Sequence, residues 1–435
     1  MFWRPILNFY SSAYNLLLKS IEPKVIGLLS RSSLKDPQFK KGRLGCYDGL
    51  AVAGGKPRIW CHAVSVGEVA GALPTLRELG GRLPNAMIFM TTGTPQGLKS
   101  ARAKLPSNVL AYPFPLDFSG CVSRAISVVQ PDLFVNFETE LWPNFFRELH
   151  NRKIPALLLN GRISSSSERF YRLIAPLFHP VFEQFTYMAM HSEEDRERIL
   201  KLGAPPRKVF TLGSSKYDGL TSQARPERAE YWKTLLRIGN NPVLVGGSLR
   251  GSETIELMRV FQRLKNSAPG LLGIFAPRHM KNIPGMSDWL QKENIPFDLL
   301  TEVENGSRPR MKPVVLVDRM GALFELYSVG SLIFCGGTFE PVGGHNILEP
   351  AAWSKAVFYG PHLKKVLYEH RILRGFGASF IARDCEDLFL QWKKRLEDPC
   401  SLIKHGEAAF KSLSFFEGIV KKQVELILDS LPNKS

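Results

Sequence analysis

Two series of short apolar segments, each segment followed by an amphipathic stretch, constrain the fold of this chain most strongly. The first series comprises residues 58–63, 86–91, 109–112, 133–137, 156–160 and 187–190, and the second comprises 243–246, 272–275, 314–317, 332–335, 356–359 and 379–382. Strands that alternate regularly with helices form parallel sheets covered by helices on both faces. Residues 214–242 between the two series contain polar and helical sequence without a strong strand. The pattern predicts an α/β protein with two Rossmann-like, doubly wound domains.

The charge balance indicates an anionic partner. The 435 residues include 57 Lys and Arg against 40 Asp and Glu, a formal net charge of +17. Such a charge favours nucleic acid, an anionic membrane or a phosphorylated substrate. The chain has no long Lys/Arg tract and no aromatic RNA-binding motif, so we expect no nucleic-acid partner and favour a membrane surface together with a phosphorylated substrate.

Cysteine and histidine spacing argues against a structural metal or a disulfide framework. The six cysteines are scattered, without a Cys-x-x-Cys pair, and the nine histidines show no ligand spacing. This usage fits a reducing cytoplasm. No Asp-x-Asp motif of the kind that holds a divalent cation in many glycosyltransferases is present, so we expect no metal and no bound cofactor.

The N-terminal segment is apolar and aromatic, with basic residues behind it. Its longest uncharged run, residues 5–18, has about fourteen residues, fewer than the ~20 that a membrane-spanning helix needs. Lys19, Lys24, Lys40, Lys41 and Arg43 follow among few acidic residues. We predict a helix that lies on an anionic membrane surface. The alternative is a core helix of the first domain.

Glu68 closes the most informative segment, which runs from Arg58 to Val69. An apolar run ends in Ser-Val-Gly-Glu68, and helix-forming sequence follows at once. This is the pattern of a strand, a tight turn and a helix start. A carboxylate at the carboxyl end of a strand lies where open α/β sheets bind ligands, and the helix dipole helps to keep it ionised. Glu68 is therefore either a general base or an ordinary first-turn helix acid.

Several segments in the same order resemble the bacterial 3-deoxy-D-manno-oct-2-ulosonic acid (Kdo) transferases, which act in lipopolysaccharide assembly. These segments are His62-Ala-Val-Ser-Val-Gly-Glu68, Thr91-Thr-Gly-Thr-Pro-Gln-Gly97, Glu138-Thr-Glu-Leu-Trp-Pro-Asn144, Asn160-Gly-Arg-Ile-Ser164, Gly213-Ser-Ser-Lys-Tyr-Asp218, Pro277-Arg-His279, Met320-Gly321 and Gly343-Gly-His-Asn-Ile-Leu-Glu-Pro350. Each is weak alone, but together they cover about residues 43–377. The resemblance implies an inverting transferase that uses CMP-Kdo as donor and a lipid A precursor (lipid IVA) as acceptor, adding one or more Kdo residues on the cytoplasmic side of the inner membrane.

The resemblance also implies the GT-B architecture, in which two Rossmann-like domains face each other across a cleft and the last helix crosses back to the first domain. The predicted segments are a membrane-anchor helix with its basic flank (1–40), an acceptor and catalytic domain (41–213), a linker (214–242), a CMP-Kdo-binding domain (243–409) and the returning helix (410–435).

Three catalytic residues carry over from the family. Glu68 would be the proton acceptor, and Glu138 and Lys216 would stabilise the transition state. Glu138 and Glu140 are two positions apart, so the two carboxylates share a face if the segment is a strand but need not if it is a turn. Basic residues Arg162, Arg169 and Arg172 between these motifs either meet the phosphates of the acceptor or form a solvated helix face.

The donor site maps to the second half of the chain. The resemblance assigns CMP binding to Pro277, Arg278, Met320, Gly321, Ala322, Asn346, Ile347, Leu348 and Glu349. The glycine-rich segment before Asn346 allows close approach of a ligand, and we expect a helix to open at His345-Asn346, so that its N-terminus attracts phosphate and Glu349 binds the ribose hydroxyls.

The chain departs from the family at two donor positions. Ala322 replaces the usual acid of a Met-Gly-Glu motif, so only a backbone contact can be inherited there. Arg250 stands near a position where the family commonly has a Thr-His pair. The rival interpretations are a GT-B transferase with another nucleotide sugar, and a basic nucleic-acid-binding protein.

Overall fold

The structure is a computed structural model that describes residues 3–31, 36–47, 54–306 and 309–432. Residues 1–2 and 32–35 of the predicted anchor and flank lie outside the described residues. The chain divides into two compact units. The first takes in the described residues up to Asp218 and from Gly418 onward, and the second is Gly219–Glu417. The division falls inside the segment 214–242 that the sequence indicated as a linker.

Unit 1 contains one parallel sheet of seven strands. They are β1 (Arg58–His62), β2 (Met87–Thr92), β3 (Val109–Pro113), β4 (Leu133–Phe137), β5 (Ala156–Gly161), β6 (Phe185–Met190) and β7 (Val209–Thr211). Their spatial order is β3-β2-β1-β4-β5-β6-β7. The chain winds outward from β1 in one direction and from β4 in the other, so the carboxyl ends of β1 and β4 flank the point where the winding reverses.

Unit 2 contains a second parallel sheet of seven strands. They are β8 (Val243–Leu249), β9 (Leu272–Pro277), β10 (Phe297–Leu299), β11 (Val314–Leu316), β12 (Leu332–Cys335), β13 (Val357–Tyr359) and β14 (Ser379–Ile381). Their order is β10-β11-β9-β8-β12-β13-β14, so the winding reverses between β8 and β12. The predicted strands are all present, while β7 and β10, three residues each at sheet edges, were not predicted.

Helices follow most strands. In chain order they are α1 (Trp3–Arg31), α2 (Pro37–Arg43), α3 (Val66–Arg82), α4 (Pro95–Lys104), α5 (Ser119–Val129), α6 (Pro143–Asn151), α7 (Ser165–Leu173), α8 (Ala175–Gln184), α9 (Glu193–Lys201), α10 (Leu220–Gln223), α11 (Pro226–Leu235), α12 (Glu253–Lys265), α13 (Ile283–Lys292), α14 (Leu300–Glu304), α15 (Leu323–Leu326), α16 (Glu349–Ala352), α17 (Leu367–Gly375), α18 (Cys385–Glu397), α19 (Pro399–Ser412) and α20 (Ile419–Asp429). The segment indicated as a linker therefore contains α10 and α11, both within unit 2.

Apolar side chains on both faces of the first sheet form its core. On one face, Trp60 of β1 packs edge-to-face on Phe145 of α6, with ring centroids 5.0 Å apart. On the other face, Ile59 and Val135 pack with Val424 of α20, and all three are fully buried. Parallel sheets require cover on both faces, and α20 supplies part of it from the end of the chain.

Helix α1 is anchored to unit 1 by polar contacts. The Tyr14 hydroxyl donates to Asp117 Oδ2 at 2.8 Å, and Arg147 donates to the Ser11 hydroxyl at 3.0 Å. The opposite side exposes large apolar residues, including Phe9, Leu16 and Leu17. Within the described ranges, no helix combines the length and apolarity that crossing a membrane requires.

Candidate active site

Glu68 lies in the first turn of α3, directly after the carboxyl end of β1. The Val64 N–H donates to Glu68 Oε2 at 2.7 Å, and the Ser65 hydroxyl donates to Oε1 at 3.0 Å. Ser65 in turn accepts from the Glu68 N–H at 3.4 Å, which completes a capping box. Glu68 is thus a helix-capping acid, and the bonds from Val64 and Ser65 fix the position of its carboxylate.

The surroundings of Glu68 make it a stronger base than a surface glutamate. Burial raises the pKa of Glu68, the bonds from Val64 and Ser65 lower it, and the negative charge of Glu140 raises it; the net pKa is above the ordinary value. A carboxylate with a raised pKa accepts a proton more readily near neutral pH.

Glu138 occupies a strained position after β4. Its φ is +60°, a left-handed conformation that is uncommon for residues with a side chain. The backbone holds it there, because the Glu138 N–H donates to the Leu159 carbonyl at 2.8 Å and Thr139 Oγ1 accepts from the Arg162 N–H at 3.0 Å. Strain of this kind, which costs about 1–3 kcal/mol, is concentrated at functional sites.

The charges of Glu68 and Lys216, the other two predicted catalytic residues, both change the pKa of the Glu138 carboxyl. Burial and then the charge of Glu68 raise the pKa of Glu138, Arg162 and Lys216 lower it, and Asp195 raises it, for a final pKa of about 7. The structure therefore brings Glu68, Glu138 and Lys216 into one electrostatic group at the carboxyl edge of the first sheet, with Arg162 beside them.

A buried amide network positions Lys216. Asn160 Oδ1 accepts from the Ser215 N–H at 3.0 Å, and the Ser215 hydroxyl donates to the Gly71 carbonyl in α3 at 2.7 Å. Gln423 of α20, fully buried, donates to the same Asn160 oxygen at 2.8 Å. These bonds fix the short 3₁₀ turn that carries Lys216 against the helix that carries Glu68.

Sequence reasoning missed this network. The motif resemblance includes Asn160 without its partners, and no motif includes Gln423. The available signal is a Gln on the otherwise apolar face of a C-terminal helix, beside Ile419, Val424 and Ile427, and it does not identify its partner.

Glu140 lies in different surroundings from Glu138. Burial raises the pKa of Glu140, and a hydrogen bond from Trp142 and then the charge of Arg43 lower it, with a net rise. Its backbone carbonyl accepts from Asn136 Nδ2 at 2.8 Å. The segment that contains Glu138 and Glu140 is therefore a turn and not a strand, since β4 ends at Phe137. The cations near Glu138 are Arg162 and Lys216, whereas the cation near Glu140 is Arg43.

In unit 2, the buried carboxylate of Glu253 organises the glycine-rich loop. Glu253 opens α12, is 1% exposed, and accepts four backbone N–H bonds. Arg250 and Gly337 donate to Oε2 at 2.9 and 2.6 Å, and Thr338 and Phe339 donate to Oε1 at 2.8 Å each. One side chain thus joins the turns after β8 and β12, the two strands at the reversal point of this sheet. No motif in the sequence indicated this role of Glu253.

A cavity of about 210 Å³ in unit 2 contains five of the predicted donor-site residues. Pro277, Arg278, Met320, Gly321 and Glu349 line it.

The other four predicted donor residues do not line this cavity. The side chains of Ala322, Ile347 and Leu348 are buried, which leaves only their backbone for a ligand. Asn346 Nδ2 donates to Glu349 Oε1 at 3.0 Å and so orients the carboxylate.

The predicted helix start at His345-Asn346 is wrong. α16 begins at Glu349 and has four residues. Asn346 Oδ1 accepts from the Leu348 N–H at 3.1 Å, a local turn that competes with helix formation. Glu349 is therefore the first helical residue, and so short a helix gives little dipole to attract phosphate.

Nothing in the described part of the chain gathers three or more His, Cys, Asp or Glu side chains in a way that could hold a metal ion.

Comparison with known proteins identifies the family of this chain. Residues 39–219 match a family model described as 3-Deoxy-D-manno-octulosonic-acid transferase (kdotransferase). A 3-deoxy-D-manno-octulosonic acid transferase of Haemophilus influenzae is 32% identical over 352 residues, covering 80% of this chain and 82% of that protein. One of Chlamydia pneumoniae is 31% identical over 331 residues, covering 75% of each.

The fold has solved counterparts. The crystal structure of a glycosyltransferase from Rickettsia africae matches with a TM-score of 0.60 at 13% identity, covering 86% of this chain and 99% of that one. At that identity the likeness concerns the fold alone. It confirms two parallel-sheet α/β units like those of the GT-B glycosyltransferases; the membrane role of α1 stays a prediction.

The raised pKa of Glu138 predicts a pH-dependent stability. The native protein keeps this proton up to a pH of about 7, whereas the unfolded chain releases it near 4.5, so between these values the native state binds more protons and loses stability as the pH rises. The thermal unfolding midpoint of the wild type should therefore fall, relative to that of Glu138→Gln, as the pH rises from about 4.5 to 7. A difference between the two proteins that does not change with pH would contradict the assignment.

Proposed function

This chain belongs to the family of 3-deoxy-D-manno-octulosonic acid transferases and is a glycosyltransferase, and on that premise we propose that it transfers Kdo from CMP-Kdo to a phosphorylated lipid A precursor, lipid IVA. The reaction inverts the anomeric carbon and adds one or more Kdo residues. The observation that carries the proposal is the placement of Glu68 and Glu138 after β1 and β4 at one edge of the first sheet, with the turn that carries Lys216 bonded to α3.

Glu68 acts as the general base. Its raised pKa and its fixed position at the turn after β1 suit a carboxylate that takes the proton of the acceptor hydroxyl. The resulting oxygen attacks the anomeric carbon, the bond from that carbon to the phosphate oxygen breaks, and CMP leaves with the bonding electrons. The proton stays on Glu68 until it is lost to water.

Lys216 and Glu138 stabilise opposite charges of the transition state. The ammonium of Lys216 offsets negative charge on the departing phosphate, and ionised Glu138 offsets positive charge on the sugar ring. The bonds of Ser215 with Asn160 and Gly71 fix the turn that carries Lys216, so the backbone at Lys216 needs little reorganisation during the reaction.

The donor nucleotide occupies the 210 Å³ cavity of unit 2. Glu349, oriented by Asn346, accepts hydrogen bonds from the ribose hydroxyls, and the guanidinium of Arg278 contacts the phosphate in fork geometry.

Helix α7 suits an acidic lipid acceptor. None of its described side chains is buried. It carries Arg169 and Arg172 together with Phe170 and Leu173, which are 59% and 79% exposed. Adjacent cations and exposed apolar side chains match a ligand with phosphates and acyl chains. With the exposed apolar side of α1, this surface would hold the protein at the cytoplasmic face of the inner membrane.

A mass spectrum of the product tests the proposal. Purified protein incubated with CMP-Kdo and a tetraacylated lipid A precursor should yield the precursor with one or more added Kdo residues, and CMP should be released. Release of UDP from a UDP-sugar, with no reaction of CMP-Kdo, would instead identify a GT-B transferase with another donor.

Glu68→Gln keeps the size of the side chain but removes the base, so turnover should fall by roughly 10²–10⁴. CMP affinity, a property of unit 2, should change by less than about twofold. Glu78→Gln is the matched control, because Glu78 lies on the exposed side of the same helix, paired with Arg82 at 2.9 Å. Near-normal turnover of Glu68→Gln would move the base to Glu138 or Glu140.

Glu349→Ala removes the proposed ribose ligand and should weaken CMP binding by about tenfold, as expected for losing hydrogen bonds to a charged group. Calorimetry with CMP measures this directly. Glu302→Ala, at an exposed position of the same unit, should bind like the wild type. An unchanged affinity in folded Glu349→Ala would refute the ribose assignment.

Charged substitutions on the exposed apolar surface should weaken membrane binding. Leu17→Asp and Leu173→Asp each place a carboxylate where we expect lipid, so less protein should float with vesicles that contain anionic lipid. Ile403→Asp, at a residue of unit 2 that is 60% exposed, is the control. If all variants float with the vesicles as the wild type does, the membrane contact does not involve Leu17 or Leu173.

A further inference from the structure

Unit 2 has a second, larger cavity of about 590 Å³. Its lining includes Arg250, His279, Lys281, Asn282 and Glu340. The chain segments at the ends of β8 and β9 line both cavities. Ser248 and Arg278 line the smaller cavity, and Arg250 and His279 line the larger one. The two cavities are therefore neighbours at the carboxyl edge of the second sheet.

The volumes allow one ligand to use both cavities. Pockets for small molecules usually have about 300–1,000 Å³. The smaller cavity, at about 210 Å³, lies below this range and so suits part of a nucleotide sugar. The larger one, at about 590 Å³, has room for the remainder.

Basic side chains outnumber acidic ones at the larger cavity. Loss of surrounding water and then the positive charges of Arg250, Lys281 and Arg278 lower the pKa of His279, so four basic side chains gather here. No ion pair among the described residues includes Arg250, Arg278 or Lys281. The nearby acid, Glu340, accepts from the Ser252 N–H and hydroxyl at 3.0 Å each. Such an excess of cations favours an anionic ligand.

Arg250 has the geometry to bind a carboxylate. Its Nε donates to His345 Nε2 at 3.0 Å, which leaves the two terminal nitrogens to form a fork. Gly337, at φ +72°, permits this arrangement, because a Cβ at that position would lie 2.9 Å from the His345 ring. The Arg250 backbone is fixed by Glu253, so both ends of the residue are held.

We propose that the larger cavity binds the acidic sugar of the donor, and that Arg250, assisted by Lys281, binds the sugar carboxylate. This inference rests on the proposed function. The arrangement makes the second unit selective for sugar acids over neutral sugars, because a neutral sugar would leave the cluster of cations uncompensated.

The test compares two ligands on the full-length enzyme. The KM for CMP-Kdo and the inhibition constant of CMP are measured for wild type, Arg250→Gln, Lys281→Gln and, as control, Lys292→Gln on the exposed end of α13. Arg250→Gln should raise the KM about tenfold or more, as expected for losing charge-assisted hydrogen bonds, while CMP inhibition changes by less than about twofold. Lys281→Gln should show a smaller rise in KM, and the control none.

Two outcomes of the kinetic comparison would overturn the inference. One is an unchanged KM in both Arg250→Gln and Lys281→Gln. The other is an equal loss of CMP and CMP-Kdo affinity, which would mean that Arg250 only shapes the nucleotide cavity. If the wild type does not react with CMP-Kdo, the proposed function fails, and calorimetry with free Kdo then decides the inference by itself. Binding that Arg250→Gln abolishes supports an acid subsite, and no binding to the wild type overturns it.

Discussion

The parallel order of the two sheets is the constraint on which the other features depend. In a parallel sheet, all strands end at the same edge, and where the winding reverses, adjacent loops diverge and leave a crevice. In unit 1 the strands at this point are β1 and β4, followed by Glu68 and Glu138; in unit 2 they are β8 and β12, followed by Arg250 and the glycine-rich loop. Residues about 70 to 90 positions apart in the sequence thus become neighbours without any special loop.

Buried polar side chains convert these crevices into sites of fixed geometry. Glu253 accepts four backbone N–H bonds and joins the turns after β8 and β12. Asn160 and Gln423 do the same for the turn that carries Lys216. An unpaired buried polar group costs free energy. Each of these buried side chains therefore stabilises its loop only in the arrangement that satisfies all of its hydrogen bonds. The residues proposed to contact substrate can therefore remain partly exposed without being loosely held.

Much of the fold could be predicted from sequence, because strands such as 133–137 are apolar runs bounded by polar residues. Strands β7 and β10 could not, since three residues at a partly exposed sheet edge are too few to show a pattern. Motif resemblance indicated Glu68, Glu138 and Lys216, but not how Glu138 turns away from Glu140, which depends on the left-handed backbone at Glu138. Nor could it show that Asn346 delays the helix until Glu349. Contacts between distant residues, such as Gln423 with Asn160, have no local signature.

The central claim is that Glu68, Glu138 and Lys216 form one electrostatically coupled site. Carbon-13 NMR of the Glu138 carboxyl measures this most directly, in wild type, Glu68→Gln and Lys216→Met. We expect a pKa of about 7 in the wild type, a lower value when the negative charge of Glu68 is removed, and a higher value when the positive charge of Lys216 is removed. A Glu138 pKa that is the same in all three proteins would contradict the account.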